Sequence, residues 1–66
     1  MTFREFITPF SVFTEIVIYS VKYAKHYYVG EIKDIPVSLL EKISNSDILN
    51  VRIRAGQLHI DILEYN

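Results

Sequence analysis

The 66-residue sequence contains no cysteine and no tryptophan, and it has only two glycines and two prolines. Without cysteine the chain can form neither a disulfide framework nor a thiolate metal site. A glycine that stands alone, as Gly30 does, cannot form a phosphate-binding loop, which needs several glycines leading into a helix. The lack of cysteine is typical of reducing compartments, so we expect a cytoplasmic protein.

The sequence also lacks an excess of charge of either sign. Seven basic and eight acidic residues give a formal net charge of -1. The overall charge therefore favours neither a protein that binds nucleic acid by electrostatic attraction nor an acidic mimic of DNA. The longest apolar stretch, residues 6–21, is interrupted by Pro9 and Glu15 and falls short of the roughly 20 apolar residues that a membrane helix needs. Arg4 is matched by Glu5, which argues against a signal peptide. We therefore expect no contact with a membrane.

A chain this short has room for one core, and we expect a single domain over residues 1–66. Domains of this size bury only about 60% of the surface that the unfolded chain exposes. Half of the residues are hydrophobic and 14% are aromatic, so some apolar side chains must remain at the surface. This composition favours a protein partner or a homo-oligomer.

No arrangement of residues typical of catalysis is present. There is no serine-histidine-aspartate arrangement, P-loop, dinucleotide fingerprint, zinc spacing or internal repeat. Glu31 and Asp34 form a possible carboxylate pair, but no nucleophile or apolar pocket lies nearby in the sequence. His59 and Asp61 lack a third metal ligand. We therefore predict a protein that is not an enzyme and has no metal or other cofactor.

The first residues predict a short helix. Thr2 and Glu5 have the spacing of a capping box, and Pro9 limits the helix to fewer than two turns. The apolar residues that follow recur on one helical face and are expected to cover a core: Phe3, Phe6, Ile7 and Phe10. The alternative is an aromatic segment that docks in a groove of a partner.

Residues 14–21 and 26–32 predict two antiparallel strands, because both are rich in β-branched and aromatic residues. The first strand is apolar on both faces, which indicates a central position, and its register cannot be chosen from this pattern. Gly30 is interpreted as a bulge or as a close approach of another group to the backbone. Lys33 and Asp34 end the second strand, and Pro36 is expected at the first position of a helix with an apolar edge formed by Leu39, Leu40 and Ile43.

Residues 48–63 alternate between apolar and polar side chains and predict a hairpin with Ala55 and Gly56 as its loop. This register pairs Ile53 with Leu58, Val51 with Ile60 and Leu49 with Ile62, and it places all six on one dry face. Because alanine is strained by about 1 kcal/mol at positive φ, a one-residue bulge at Gly56 is the alternative. The fold class is therefore α+β, with an antiparallel sheet of about four strands in the order helix-strand-strand-helix-strand-strand and two short helices on one face.

Two clusters are candidates for binding a partner. Residues 22–28 place lysines and a histidine among tyrosines at the tip of the first hairpin, and Arg52 and His59 face each other on the polar side of the second hairpin, with Asn50 opposite Asp61. The alternative for that polar side is a solvated outer surface that binds no partner. The predicted partner-binding residues are Tyr23, Lys25, Tyr27, Tyr28, Arg52, Arg54 and His59. We expect a protein partner; the alternative is binding of a nucleotide or single-stranded nucleic acid through the basic, tyrosine-rich loop and the hairpin arginines.

Three segments carry a resemblance: "TFREF", "YYVGEIKDIPVSLLEK" and "LNVRIRAGQLHIDI". In their order and spacing the chain resembles a group of short, uncharacterised accessory proteins of Firmicutes phages, prophages and mobile elements. The resemblance implies a small accessory protein, in some cases one that blocks a host protein such as a defence nuclease, and it implies no catalytic residue. The basic, tyrosine-rich segment 22–28 is where this chain departs from the group.

Overall fold

The computed structural model of the chain describes residues 1–64. Its elements follow the predicted order and confirm the α+β class. They are α1 (Phe3–Ile7), β1 (Glu15–Ser20), β2 (Lys25–Glu31), a 3-10 helix (Ile32–Asp34), α2 (Val37–Ile43), β3 (Asp47–Arg54) and β4 (Gln57–Leu63). The predicted domain extends to residue 66, and residues 65–66 lie outside the described part of the chain.

The four strands form one sheet in the order β2-β1-β4-β3. Strand β1 is central, as its two apolar faces predicted. Each hairpin is antiparallel, but β1 and β4 run parallel, so the expectation of a wholly antiparallel sheet is wrong at its centre. The physical reason is the connection between the hairpins: α2 carries the chain back along the sheet, so the second hairpin starts at the opposite end from where the first one stops.

The core lies between one face of the sheet and the two helices. Strands β1 and β4 supply most of the buried side chains, and each buried aliphatic side chain stabilises the fold by about 1.5–3 kcal/mol. The core residues are Phe3, Ile16, Ile18, Ile35, Ile43, Leu58, Ile60 and Ile62.

The capping box at the start of α1 is confirmed. The Thr2 hydroxyl accepts a hydrogen bond from the Glu5 amide at 3.2 Å, and the Glu5 carboxylate accepts one from the Thr2 amide at 2.9 Å. The hydrogen bond from the Thr2 amide lowers the pKa of the Glu5 carboxyl. Phe3 is fully buried, as expected for a residue that covers the core. Phe10 is exposed, and the centroid of its ring lies 5.2 Å from that of the Phe6 ring.

Helix α2 begins one residue later than predicted. Pro36 has an extended backbone, with φ -56° and ψ 136°, and therefore occupies the N-cap rather than the first helical position. Its carbonyl still accepts the first helical hydrogen bond, from the Leu40 amide at 2.9 Å. Ile43 is fully buried, while Leu39 and Leu40 are partly buried against the core, which confirms the predicted apolar edge.

The second hairpin has the predicted two-residue loop, with Ala55 at φ 49° and Gly56 at φ 77°. The pairs Ile53 with Leu58 and Val51 with Ile60 are confirmed. The predicted pair of Leu49 with Ile62 is not formed, so this prediction is wrong. A β-bulge between Ile48 and Asn50 shifts the register, and Ile48 lies opposite Ile62 instead.

The expectation that all six apolar residues of the second hairpin share one dry face is also wrong. Leu58, Ile60 and Ile62 on β4 are buried, but Leu49 is 52% exposed and Ile53 is 77% exposed. Strand β3 lies at the edge of the sheet, and the bulge turns Leu49 away from the core. Ile53 follows the core side of β3 but stands at the far end of this edge strand, next to the hairpin loop. The dry face is therefore formed mainly by β4.

Candidate binding face

The helices cover only one face of the sheet, and the other, here called the open face, carries three rows of side chains across the strands. The register of the three strand pairs defines these rows. From β2 to β3, the upper row is His26, Tyr19, Asp61 and Asn50. The middle row is Val29, Val17, His59 and Arg52. The lower row is Glu31, Glu15, Gln57 and Arg54.

The upper and middle rows enclose a depression of about 220 Å³ at the centre of the open face. Val17 forms its floor and is only 5% exposed, although no helix covers it. One wall is the aromatic pair of Tyr19 and His26, whose ring centroids lie 5.0 Å apart in an edge-to-face arrangement. The opposite wall is formed by His59, Asp61 and Arg52. The depression thus combines an apolar floor with polar walls.

The charged wall of the depression contains an ion pair. The Nη2 atom of Arg52 lies 3.4 Å from each carboxylate oxygen of Asp61. The Arg52 side chain is half exposed, so this pair stabilises the fold by about 0.2–1 kcal/mol at most. Its effect is to hold the guanidinium group over the open face, where it can meet a partner.

The lower row carries a gradient of charge across the sheet. Glu31 and Glu15 are neighbours at the β2 side, and Arg54 lies at the β3 side. Between them, the Gln57 side-chain amide donates to the Glu15 carboxylate at 2.9 Å. Lys33 lies 3.9 Å from Glu31 at the end of β2. Within the lower row, the carboxylates therefore lie on the β2 and β1 side and the arginine lies on the β3 side, and Lys33 partly offsets the charge of Glu31.

The open face contains three of the predicted partner-binding residues: Arg52, Arg54 and His59. The predicted ladder is confirmed, since Arg52 pairs with His59 and Asn50 pairs with Asp61. The prediction succeeded here because the polar and apolar positions of β4 alternate strictly.

Tyr27 and Tyr28 lie on the other side of the sheet. A second β-bulge falls here, since Ile18 pairs with Tyr28 while Tyr19 pairs with His26, and Tyr27 is the extra residue. Both tyrosines therefore turn towards the helices and pack against the core. The expectation that residues 22–28 form an exposed cluster is therefore wrong for these two tyrosines, because the bulge turns them towards the core; the predicted strand over 26–32 begins one residue earlier, at Lys25. The Tyr28 hydroxyl donates to the Glu31 carbonyl at 2.7 Å.

Tyr27 belongs to a buried polar network around Glu64. The hydroxyl groups of Tyr27 and Ser20 each donate to one Glu64 carboxylate oxygen, the second at 2.7 Å. The ammonium groups of Lys42 and Lys25 lie 5.1 and 5.5 Å from the centre of the Tyr27 ring. Tyr27 therefore links the end of β4 to β2, and its role in the fold is structural.

The pKa values in this network follow from its contacts. Burial raises the pKa of the Glu64 carboxyl, but the hydrogen bonds from Tyr27 and Ser20 and the charge of Lys42 outweigh it and leave the pKa below its usual value. Burial, together with the hydrogen bond to Glu64, raises the pKa of the Tyr27 phenol. Both shifts favour the ionised carboxylate beside the protonated phenol.

The remaining predicted residues, Tyr23 and Lys25, lie at the turn of the first hairpin. The Tyr23 amide donates to the Ser20 hydroxyl at 3.2 Å, and the Lys22 ammonium lies 5.5 Å from the centre of the Tyr23 ring. Tyr23 is 49% exposed. The seven predicted residues therefore do not form one site: three lie on the open face, and four lie at the hairpin turn or on the helix side.

Sequence reasoning missed Tyr19 as a member of the open face and did not place His26 there. Alternation alone does not determine the register of the first hairpin, and the bulge at Tyr27 moves each residue before it in β2 to the opposite face of the sheet. The edge-to-face contact of Tyr19 with His26 therefore has no signal in the alternation of residues.

No group of three or more His, Cys, Asp or Glu side chains within residues 1–64 is arranged to hold a metal ion. In the same part of the chain, no helix has the length and apolar character needed to cross a membrane. Comparisons of the chain with protein-family models, with curated proteins and with solved structures gave no match.

Proposed function

We propose that the protein is a small, non-enzymatic interaction module that binds a protein partner through the open face. The observation that carries this proposal is the central depression of about 220 Å³, which has the apolar residue Val17 as its floor. Its rim presents Tyr19, His59 and Arg52. Tyrosine and arginine around a small desolvated pocket are the residues on which protein interfaces depend most.

The open face also presents apolar surface that the chain itself leaves uncovered. Val29 is 59% exposed beside the buried Val17. Around this apolar centre, Arg54 and Glu31 offer charges of opposite sign at opposite edges. An apolar centre with a charged rim is the usual arrangement of a protein interface.

The mode of action that we propose is occlusion of the bound partner. The resemblance to accessory proteins of phages and mobile elements supports this, because such proteins can act by blocking a host protein. We propose a cytoplasmic location on the basis of the cysteine-free sequence.

Binding of a nucleotide or single-stranded nucleic acid is the second candidate. It is favoured by the presence of Arg52, Arg54 and His59 on the same face as the Tyr19 ring, because cations and aromatic rings bind phosphates and bases. However, Glu15, Glu31 and Asp61 lie on the same face and repel phosphate groups. The protein partner is therefore the better-supported proposal.

Affinity capture tests the proposal. Immobilised protein is incubated with lysate of the source organism, and the captured proteins are compared with those captured by a double variant, Arg54→Ala with His59→Ala. We expect the variant to lose them. The matched control is Arg4→Ala, which removes an exposed arginine from α1 on the helix side and should retain them. Equal capture by all three proteins would contradict a role for the open face.

Titration with oligonucleotides and nucleotides at low salt tests the second candidate. It predicts binding that weakens steeply as the salt concentration rises, because phosphate contacts release counterions. No binding at low salt would eliminate it.

A further inference from the structure

We infer that the open face binds a second copy of this chain, face to face, in a twofold-symmetric dimer whose axis lies parallel to the strands between β1 and β4. This inference rests on the proposed function, since it gives the same surface a second occupant, with which any other protein partner competes. It is carried by the order of charges and polar groups along the three rows of the open face.

A twofold axis in this position reverses the order of each row. Strand β2 of one copy then lies over β3 of the other, and β1 lies over β4. In the lower row this sets Glu31 opposite Arg54 of the second copy and Glu15 opposite Gln57 of the second copy. Because the axis generates each contact twice, the dimer gains two Glu31–Arg54 ion pairs at its two edges.

The other two rows are also complementary when they are reversed. Tyr19 lies opposite Asp61 of the second copy, so that a hydroxyl donor meets a carboxylate. The exposed Val29 lies opposite the aliphatic stem of Arg52 of the second copy. His26 lies opposite the Asn50 amide. Reversal brings no two like charges together in any row.

The charge pattern discriminates against another face-to-face arrangement. An axis perpendicular to the strands and along the middle row would superpose that row on itself and set Arg52 against Arg52 of the second copy. Like charges that face each other across an interface are strongly unfavourable. The axis parallel to the strands avoids this contact.

The size of the open face is sufficient for a weak dimer. Four strands about 4.8 Å apart and about seven residues long, at about 3.3 Å per residue, give a projected area of roughly 440 Å². A dimer that covers this face on both copies therefore buries at least roughly 900 Å², a size typical of weak, transient association. We therefore expect dimers to be populated only at high protein concentration.

Sedimentation equilibrium from about 10 µM to about 1 mM tests the inference, because a small interface of this kind associates in that range. The wild-type protein should approach twice the monomer mass. Glu31→Arg and Arg54→Glu each replace two opposite-charge contacts with two like-charge contacts, so each should weaken dimerisation by at least about tenfold. An equimolar mixture of the two variants should recover it, because each edge of the heterodimer again sets an acidic side chain opposite a basic one.

The matched controls are Glu41→Arg and Arg4→Glu, which reverse exposed charges on the helix side and should leave dimerisation unchanged. Circular dichroism checks that each variant is folded; Glu31→Gln and Arg54→Gln replace any variant that is not, and each should weaken the dimer less. A wild-type monomer at 1 mM, dimerisation that neither variant changes, or a mixture of folded charge-reversal variants that stays monomeric would each overturn the inference. If a wild-type monomer still captures another protein through the open face, only self-association fails and the proposed function stands.

Discussion

The Tyr27 hydroxyl group donates a hydrogen bond to the carboxylate of Glu64, a residue that lies 37 positions later in the sequence. The second carboxylate oxygen accepts from Ser20, at the end of β1. Glu64 thus connects the ends of three strands, with Tyr27 from β2, Ser20 from β1 and its own position after β4. A carboxylate that is only 5% exposed is stable there because both of its oxygens are hydrogen-bonded.

We predict that Tyr27→Phe lowers the free energy of unfolding by about 1–3 kcal/mol. The substitution keeps the ring but removes the donor, so a buried carboxylate oxygen loses its partner. Chemical denaturation at low protein concentration measures the loss. Tyr19→Phe is the matched control, because the Tyr19 hydroxyl has no hydrogen-bond partner within residues 1–64, and it should change stability by less than about 0.5 kcal/mol. Equal losses for the two variants would contradict the role of the network.

The same network predicts how stability depends on pH. The pKa of Glu64 is lower in the folded protein than in the unfolded chain, where it is about 4.3. The stabilisation from Glu64 is therefore fully present above that value and is lost as the pH falls through the lower pKa of the folded state. We expect the free energy of unfolding to decrease from pH 6 to pH 3, with a smaller decrease for Glu64→Gln.

Glu41→Gln serves as the control for this measurement, since it removes an exposed carboxylate from α2. Its pH profile should follow that of the wild-type protein. A Glu64→Gln profile with the wild-type slope would show that this carboxylate does not contribute to acid unfolding.

A feature of the fold can be predicted from the sequence when nearby residues alone determine it, and not when packing between distant strands decides between alternatives. The capping box of Thr2 and Glu5 and the loop at Ala55 and Gly56 were predictable because local geometry alone determines them. The strict alternation along β4 likewise identified its buried and exposed positions. These features depend on neighbours within a few residues.

The two β-bulges were not predictable, because each is decided by packing between strands. At Leu49, two adjacent apolar residues, Ile48 and Leu49, are each compatible with facing Ile62, and the tertiary structure selects Ile48. At Tyr27, two adjacent tyrosines both turn towards the core. The candidate site was therefore predicted only on the β3–β4 side, and its Tyr19–His26 wall was missed.

The loop of the second hairpin offers a test by stabilisation. Ala55 has φ 49°, a left-handed conformation that strains a residue with a Cβ atom, whereas asparagine tolerates it. We predict that Ala55→Asn raises the free energy of unfolding by about 0.5–1 kcal/mol. Thermal or chemical unfolding measures the gain. An unchanged or lower stability would contradict the strained turn.

Gly30 is expected to be required because of the Tyr28 side chain. A Cβ atom at Gly30 would lie 2.7 Å from the Tyr28 hydroxyl oxygen, and the backbone there has φ 153°. We predict that Gly30→Ala costs about 1–3 kcal/mol. In a Tyr28→Phe background the same substitution should cost less, because the nearest atom is gone. A double-mutant cycle with no coupling between the two sites would contradict this contact.

The bulge in β3 predicts opposite consequences for two adjacent residues. Ile48 packs against the core, whereas Leu49 is 52% exposed. Ile48→Ala should therefore lower the free energy of unfolding by about 2–3 kcal/mol, and Leu49→Ala by less than about 0.5 kcal/mol. The two substitutions remove equal numbers of carbon atoms, so each is the control for the other in one set of denaturation curves. The reverse order of effects would restore the simple alternation of the sequence, with Leu49 opposite Ile62.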